Sequence, residues 1–352
     1  MTRVAVIGAG WWAAAHHIPN LAAIPGVQLD AVCRLGAAEL SAVRDRFGFA
    51  FASESVEEVL ARRPDAVVVS SPHPLHHAHA AAALTAGAHV LVEKPMTLDP
   101  AQAWDLVARA RRADRQLIVG NGYHWRPGIA AIRDRLAARA IGRLEHALCS
   151  FVSATRNVFS GNQGMGLWKT TMFRPPPSTW QDPAGGGGFA WGQMSHSVAL
   201  LLWLTGLEPD RVAATMLGEP VDLAVSAALR FRGGANAVLS GAAAWPEGSP
   251  ALLRLVMTGD AGTLDLSVDG HCALVRRLDG TVEDLSPSAG AWYYDTAGPI
   301  HALVAAARGD SSLNLAPGEI GAATVSVLAA LHESAASGGG AVPVDDGTAR
   351  SP

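Results

Sequence analysis

Closely spaced glycines near the start of this 352-residue chain are suited to holding a phosphate group. The segment Gly8-Ala-Gly10-Trp11-Trp12-Ala13 follows an apolar β-type run, opens a helical run and has the pattern G-x-G-x-x-A. The first glycine permits a tight turn, the second lets the backbone approach a pyrophosphate, and the small third residue lets the helix pack on the strand. We therefore expect these residues to bind a dinucleotide at the helix N-terminus. The alternative is a glycine turn in an ordinary α/β protein.

The residue after the second predicted strand indicates which dinucleotide is bound. An acidic residue about 20 positions beyond the glycines would bind the ribose hydroxyls of NAD, but here Cys33 is followed by Arg34. A guanidinium pairs with a 2′-phosphate through two hydrogen bonds, whereas a carboxylate repels it. Arg34 therefore favours NADP(H) over NAD(H), with a solvated loop arginine as the alternative.

Short apolar β runs alternate with helical runs up to about residue 122. The predicted strands are Arg3–Ile7, Val27–Cys33, Ala66–Ser70, His89–Val92 and Gln116–Val119. Continuous apolar strands separated by helices indicate a parallel sheet covered on both faces. We predict an α/β Rossmann domain that binds the dinucleotide over residues 1–122.

After Tyr123 the pattern changes to successive strands separated by tight-turn residues, accompanied by a few helices. This pattern predicts an α+β domain with a large, mostly antiparallel open sheet over residues 123–340, for substrate binding and oligomerisation. Residues 341–352 read as a C-terminal tail.

Composition argues against several partners. The net charge of −4 gives no hint of a nucleic acid or an anionic membrane as partner. Three scattered cysteines form neither a disulfide framework nor a CxxC metal site, and the histidines lack a supporting ligand pattern, so we expect no metal. No apolar run is long enough to span a bilayer and no signal peptide is apparent, so a cytoplasmic location is expected.

Several motifs resemble those of the Gfo/Idh/MocA family, which is named for glucose-fructose oxidoreductase and inositol dehydrogenase. The segment Ser70–His76 reads Ser-Ser-Pro-His-Pro-Leu-His and resembles the family's T-P-x-x-x-H loop. His89–Pro95, His-Val-Leu-Val-Glu-Lys-Pro, is similar to its H-V-x-x-E-K-P motif. Gly185–Gly188 followed by His196 resembles the glycine-rich turn before the family's catalytic helix. The similarity covers nearly the whole chain.

The resemblance implies roles for residues in the first domain. Ser71, Pro72 and His76 would lie against the adenosine and the nicotinamide ribose, and Glu93 and Lys94 would also contact the cofactor. Lys94, one of only two lysines in the chain, would act on the reacting hydroxyl. A free lysine with a pKa of ~10.4 is a poor base, but burial beside a nicotinamide would bring the pKa to ~7–8.

The same resemblance exposes a departure in the second domain. The family usually has Asp-x-x-x-His on its catalytic helix, whereas this chain has Gly192 at the Asp position and keeps His196. A further family acid is replaced by Ala199. We therefore take Lys94 and His196 as the catalytic pair, with Gln193 as a hydrogen-bonding residue. The alternative for His196 is a buried structural histidine.

Further candidates for substrate binding lie near Tyr123 and in the long loop Phe159–Pro183. Tyr123 and Trp168 could stack on the apolar face of a sugar, and Arg126 and Lys169 could bind hydroxyl or anionic groups. Each of them alone is more often a packing or surface residue.

These observations predict an NAD(P)-dependent oxidoreductase. The resemblance implies hydride transfer between nicotinamide and a hydroxyl or keto carbon of a sugar, a sugar derivative or a cyclitol. It also implies a homodimer or homotetramer. The alternatives are an NADPH-dependent reductase of an imine or biosynthetic intermediate, and a non-catalytic dinucleotide sensor, although a sensor has no use for an acid–base pair.

Overall fold

The computed structural model describes residues 1–161, 171–287 and 294–347, which form two compact units. Of these residues, the first unit contains 1–122, 171–179 and 295–322, and the second contains the rest. The helices of both units are α1 (Ile18–Ala23), α2 (Ala37–Phe47), α3 (Val56–Leu60), α4 (His76–Thr85), α5 (Pro100–Ala113), α6 (Ile129–Ala137), α7 (Arg156–Phe159), α8 (Ser178–Gln181), α9 (Ser195–Thr205), α10 (Gly298–Ala307) and α11 (Gly318–Ala336).

The first unit is built on a six-stranded parallel sheet. Its strands are β1 (Thr2–Ile7), β2 (Val27–Cys33), β3 (Phe51–Ser53), β4 (Ala66–Val69), β5 (His89–Val92) and β6 (Leu117–Val119). Their order is β3-β2-β1-β4-β5-β6, which confirms the predicted Rossmann architecture. The carboxyl ends of β1, β4 and β5 lie side by side at one edge, because these strands are parallel neighbours. This edge carries the glycine motif, the loop after β4 and the Glu-Lys-Pro segment.

The second unit is built on a nine-stranded sheet. Its strands are β7 (Leu144–Val152), β8 (Pro209–Leu217), β9 (Ala224–Phe231), β10 (Asn236–Ala242), β11 (Leu252–Gly259), β12 (Gly262–Ser267), β13 (Cys272–Arg277), β14 (Val282–Asp284) and β15 (Val342–Pro343). All paired strands are antiparallel except β7 and β10, so the predicted mostly antiparallel sheet is confirmed.

Alternation along the strands separates the two faces of this sheet. On β7, Ala147, Cys149 and Phe151 are buried and α9 packs on this strand, whereas Leu148 between them is exposed. Helix α9 is apolar on all sides, and every residue from Ser195 to Leu204 is buried. A buried helix therefore carries His196 on the inner side of the sheet.

The start of the predicted C-terminal tail differs from expectation. Val342 and Pro343 pair with Val212 and Arg211 of β8 and extend the sheet by one short strand, and Val344 is buried. A tail is expected to lie outside regular structure, but β8 offers an open edge whose hydrogen-bonding groups this segment satisfies.

Candidate active site

The glycine motif forms a loop that is closed on one side and open on the other. Gly8 has φ +85°, and a Cβ there would lie 2.3 Å from the backbone nitrogen of Ser71, so only glycine fits. A Cβ on Gly10 would approach no atom closer than 3.9 Å. Buried Ala13 begins the following helical turn. The loop therefore leaves open space at Gly10, directly before the start of the helix, and this space fits a pyrophosphate.

The Arg34 side chain contacts this glycine loop. Its Nη1 donates to the carbonyl oxygen of Ala9 at 3.0 Å, and its guanidinium lies over the ring of Phe173 at 3.8 Å. Its buried Nε has no acceptor among the described residues, and burial lowers the pKa of Arg34. An unmatched N–H beside the glycine loop fits an oxygen atom of the dinucleotide. Sequence reasoning missed Phe173, because nothing local distinguishes it from other aromatic residues of its loop.

The loop after β4 is anchored by a fully buried histidine. His76 lies with Nδ1 2.9 Å from the carbonyl oxygen of Pro95 and Nε2 2.8 Å from that of Ser71. Burial lowers the pKa of His76. The Ser71 hydroxyl lies 2.9 Å from Nδ1 of His79, and Pro72 is exposed. His76 thus ties the loop to the Glu-Lys-Pro segment, while Pro72 is the member of the set that a ligand can reach directly.

Glu93 and Lys94 follow β5 at the same edge of the sheet. Glu93 Oε1 accepts hydrogen bonds from Trp12 Nε1 at 2.9 Å and from His17 Nε2 at 2.8 Å, and Oε2 accepts from the Lys94 backbone N–H at 3.1 Å. Burial opposes ionisation of Glu93, but these donors and the charges of His17 and Lys94 lower its pKa overall. Trp11 lies edge-on to Trp12, with ring centroids 5.2 Å apart. Sequence reasoning gave His17 no role in the site, although it stands five residues from Trp12.

Lys94 has an environment suited to proton transfer near neutral pH. Burial lowers the pKa of Lys94 to about 8, and the opposing effect of the Glu93 charge is smaller. The Lys94–Pro95 peptide bond is cis. A lysine with such a pKa is present as both amine and ammonium at physiological pH, so it can accept or donate a proton.

In the second unit, His196 lies within a cluster of aromatic rings. Its ring centroid lies 5.4 Å from that of Tyr123, 5.2 Å from that of Tyr294 and 6.2 Å from that of Phe151. Burial raises the pKa of Tyr123, so its phenol stays protonated. The cluster therefore supplies hydroxyl donors and apolar ring faces next to an imidazole. Tyr294 follows a stretch without regular patterning, which is why sequence reasoning missed it.

Arg126 packs on the Tyr123 ring of this aromatic cluster. Its buried guanidinium pairs with Asp269 at 3.1 Å, donates to the carbonyl oxygen of Val268 at 3.1 Å and lies over the Tyr123 ring at 4.8 Å. Burial raises the pKa of Asp269, and the opposing effect of the Arg126 charge is smaller. These contacts place Arg126 as a buried support for Tyr123, and its contact with substrate stays a prediction.

The position that lacks the family's carboxylate is filled by a neighbouring ring. Gly192 lies in the π-helical turn Ala190–Met194, and a Cβ there would lie 2.8 Å from Cζ of the buried Phe159. The first N–H of this turn donates to Asp222 at 2.7 Å. The next residue, Gln193, is half-buried. The ring of Phe159 thus occupies the space that a side chain at position 192 would need.

Restoring that carboxylate is expected to destabilise the protein rather than improve catalysis. Gly192→Asp should lower the free energy of unfolding by about 1–3 kcal/mol, because the new side chain overpacks against Phe159. In a protein that already carries Phe159→Ala, the Gly192→Asp change should cost less free energy of unfolding, because the ring that it would press against is gone. Urea unfolding of the four proteins measures this coupling. If the double variant lost as much free energy of unfolding as the two single variants together, the side chain at position 192 would not press against Phe159.

The predicted substrate residues Trp168 and Lys169 lie outside the described residues. Within the described ranges, no cluster of three or more His, Cys, Asp or Glu side chains could hold a metal ion. A search of the same ranges for helices long and apolar enough to cross a membrane finds none.

Models of one protein family match both parts of the chain. Residues 2–121 match the oxidoreductase family with an NAD-binding Rossmann fold, and residues 129–265 match the GFO/IDH/MocA C-terminal domain. D-Glucoside 3-dehydrogenase of Escherichia coli (strain K12) is 30% identical over 143 residues, which make up 40% of this chain and 41% of that relative. dTDP-3,4-didehydro-2,6-dideoxy-alpha-D-glucose 3-reductase of Streptomyces violaceoruber is 34% identical over 158 residues, 44% of this chain and 45% of that relative. The chain therefore aligns with less than half the length of either enzyme.

A solved structure shares the fold over nearly the full length. An oxidoreductase from Agrobacterium radiobacter, in complex with NAD+, L-tartaric acid and magnesium, has a TM-score of 0.75 and 21% identity. The alignment covers 97% of this chain and 98% of that one.

Proposed function

Because this chain belongs to the Gfo/Idh/MocA family of oxidoreductases, we propose that it transfers hydride between a nicotinamide dinucleotide and a hydroxyl or keto carbon of a sugar, a sugar derivative or a cyclitol. The observation that carries the proposal is Lys94, whose pKa is lowered to about 8 at the edge of the sheet that holds the glycine loop. The two named relatives, which act on a D-glucoside and on a dTDP-linked sugar, support the substrate class.

Lys94 moves the proton in this proposal. A bound nicotinamide supplies the acceptor for the hydride that leaves the carbinol carbon. In the oxidation, neutral Lys94 Nζ takes the hydroxyl proton and becomes an ammonium, and the C–O bond becomes a carbonyl. In the reduction, the ammonium returns that proton to the carbonyl oxygen. Each direction therefore needs the opposite charge state of Lys94.

His196 is the second acid–base group of the proposal. Its ring packs against Tyr123, Tyr294 and Phe151, and these contacts fix its orientation. An imidazole can accept or donate a hydrogen bond to a substrate hydroxyl, and the neighbouring ring faces suit the C–H face of a sugar. Gln193, Trp168 and Lys169 are proposed as further substrate contacts.

The proposal is tested by supplying aldoses, alkyl glucosides and cyclitols with NADP+ and with NAD+, and by following reduced nicotinamide by absorbance. We expect oxidation of at least one class, with a rate that rises with pH around 8. Tight dinucleotide binding with no turnover of any of these compounds, or of imines, would favour a sensor instead. Turnover of imines alone would favour an imine reductase.

We further propose that NADPH binds more tightly than NADH. Arg34→Asp should weaken NADPH binding about 10- to 100-fold, because a guanidinium–phosphate contact contributes about 1.5–3 kcal/mol, and should leave NADH binding within a few-fold. Arg46→Asp, the same charge change at an exposed position of α2, is the matched control. Titrations followed by nicotinamide fluorescence measure both affinities. Equal affinity of the native protein for NADPH and NADH would remove Arg34 from the phosphate site.

The open face of the nine-stranded sheet supports self-association. Leu148 and Val238 pair on neighbouring strands and are 37% and 42% exposed, so the centre of this face is apolar. We infer a homodimer or homotetramer formed through this face. Sedimentation velocity checks this, and a monomer at micromolar concentration would contradict it.

A further inference from the structure

Two side chains that stand five residues apart hold the same carboxylate oxygen. Trp12 Nε1 and His17 Nε2 lie 2.9 and 2.8 Å from Glu93 Oε1. In an α-helix, side chains five residues apart point about 140° away from each other. Ala13–His17, however, is a π-turn, whose hydrogen bonds join residues five apart and therefore bring such residues to one side. The π-turn after the glycine motif is what places both donors on Glu93.

The backbone of Lys94 and of Gly120 encloses the other sides of the Glu93 carboxylate. Glu93 Oε2 accepts a hydrogen bond from the Lys94 backbone N–H at 3.1 Å. At the end of β6, a Cβ on Gly120 would lie 2.5 Å from Glu93 Oε1, so that position has no room for a side chain. Glu93 and His17 are 8% and 2% exposed. The result is a buried anion, fixed by three donors and joined directly to Lys94.

We propose that His17 is a positioning residue, which together with Trp12 fixes the Glu93 anion and offsets part of its charge, and so sets the balance between the amine and ammonium forms of Lys94. This inference rests on the proposed function, because that function gives Lys94 its acid–base role. His17 acts through Glu93 and needs no contact with substrate.

The sign of the effect follows from the charges around Glu93. The titratable groups that act on it or on its partners are His16 and His17 on the π-turn, His76 on α4, and Lys94 itself. Burial lowers the pKa of Lys94, and the Glu93 charge partly opposes this. Removing that charge must lower the pKa of Lys94 further. Removing the His17 donor leaves the anion less compensated and must raise the pKa.

Lys94 can be titrated directly, because the full chain has only two lysines. Reductive methylation with ¹³C-formaldehyde labels both lysines and the terminal amine, and the missing signal in Lys94→Arg assigns Lys94. We expect the NMR titration midpoint to fall by about 1–2 pH units in Glu93→Gln. It should rise by about 0.5–1 unit in His17→Leu. His17→Gln, which keeps an N–H near the Nε2 position, should return the midpoint to the native value.

A matched histidine–carboxylate pair elsewhere serves as the control. His77 Nε2 lies 2.8 Å from Asp105 Oδ2, and His77→Gln should leave the Lys94 midpoint unchanged. An unchanged midpoint in His17→Leu, or shifts of the same sign in His17→Leu and Glu93→Gln, would overturn the inference. General unfolding cannot produce opposite shifts that His17→Gln reverses. The titration needs no turnover, so a protein that titrates as expected but oxidises no sugar contradicts only the proposed function.

Discussion

Replacing Lys94 by alanine is expected to reduce turnover by about 10²–10⁴ while dinucleotide affinity stays within a few-fold of the native value. The reason is that the amine is the proton acceptor in the proposed oxidation, whereas the glycine loop and Arg34 are expected to hold the dinucleotide. Lys94→Arg is the informative comparison. It keeps a positive charge but cannot lose its proton at working pH, so it should be nearly as inactive in the oxidation.

The pH dependence has a definite sign in each direction. With the pKa of Lys94 at about 8, the neutral amine increases as pH rises through that value. Oxidation should therefore accelerate with rising pH and level off above it, whereas reduction should slow over the same range. Initial rates in both directions between pH 6 and 10 measure this, with dinucleotide binding followed in parallel. Native-like turnover in Lys94→Ala would remove Lys94 from the chemistry.

The second large effect is expected at Gly8, through stability rather than chemistry. Gly8→Ala should lower the free energy of unfolding by about 2–5 kcal/mol and abolish measurable dinucleotide binding. A left-handed alanine costs about 1–2 kcal/mol, and the new Cβ would lie 2.3 Å from the Ser71 nitrogen and 2.4 Å from its Cα. These are backbone atoms at the end of β4, so relief requires moving the loop away from the strand.

Gly48 separates these two contributions. It has φ +77° and ends α2, but a Cβ there meets no atom within 4 Å. Gly48→Ala should therefore show the conformational cost alone and should bind the dinucleotide normally. Urea unfolding and NADPH titration of both variants give the comparison. Equal losses of stability at the two positions would show that close packing on Ser71 does not determine the requirement for glycine.

Local patterns predicted most of the first unit. Strands β2 and β5 have the bounds expected from their apolar patterns. Strand β3, by contrast, was missed, because its three half-buried residues form a sheet edge that carries too short a pattern. The two π-turns were also missed, since a one-residue widening of a helix leaves no periodic signal.

The sequence by itself determined which residues could do chemistry: the glycine motif, Arg34, Lys94 and His196. The glycine motif and Arg34 follow from the local pattern of a turn and a strand end, whereas Lys94 and His196 come from the resemblance to the family's motifs. Only the tertiary structure decided what those residues touch. Glu93 meets His17 across 76 positions of the chain, and the ring of Phe159 fills the space at Gly192. Such contacts depend on how distant elements pack, which no local spacing records.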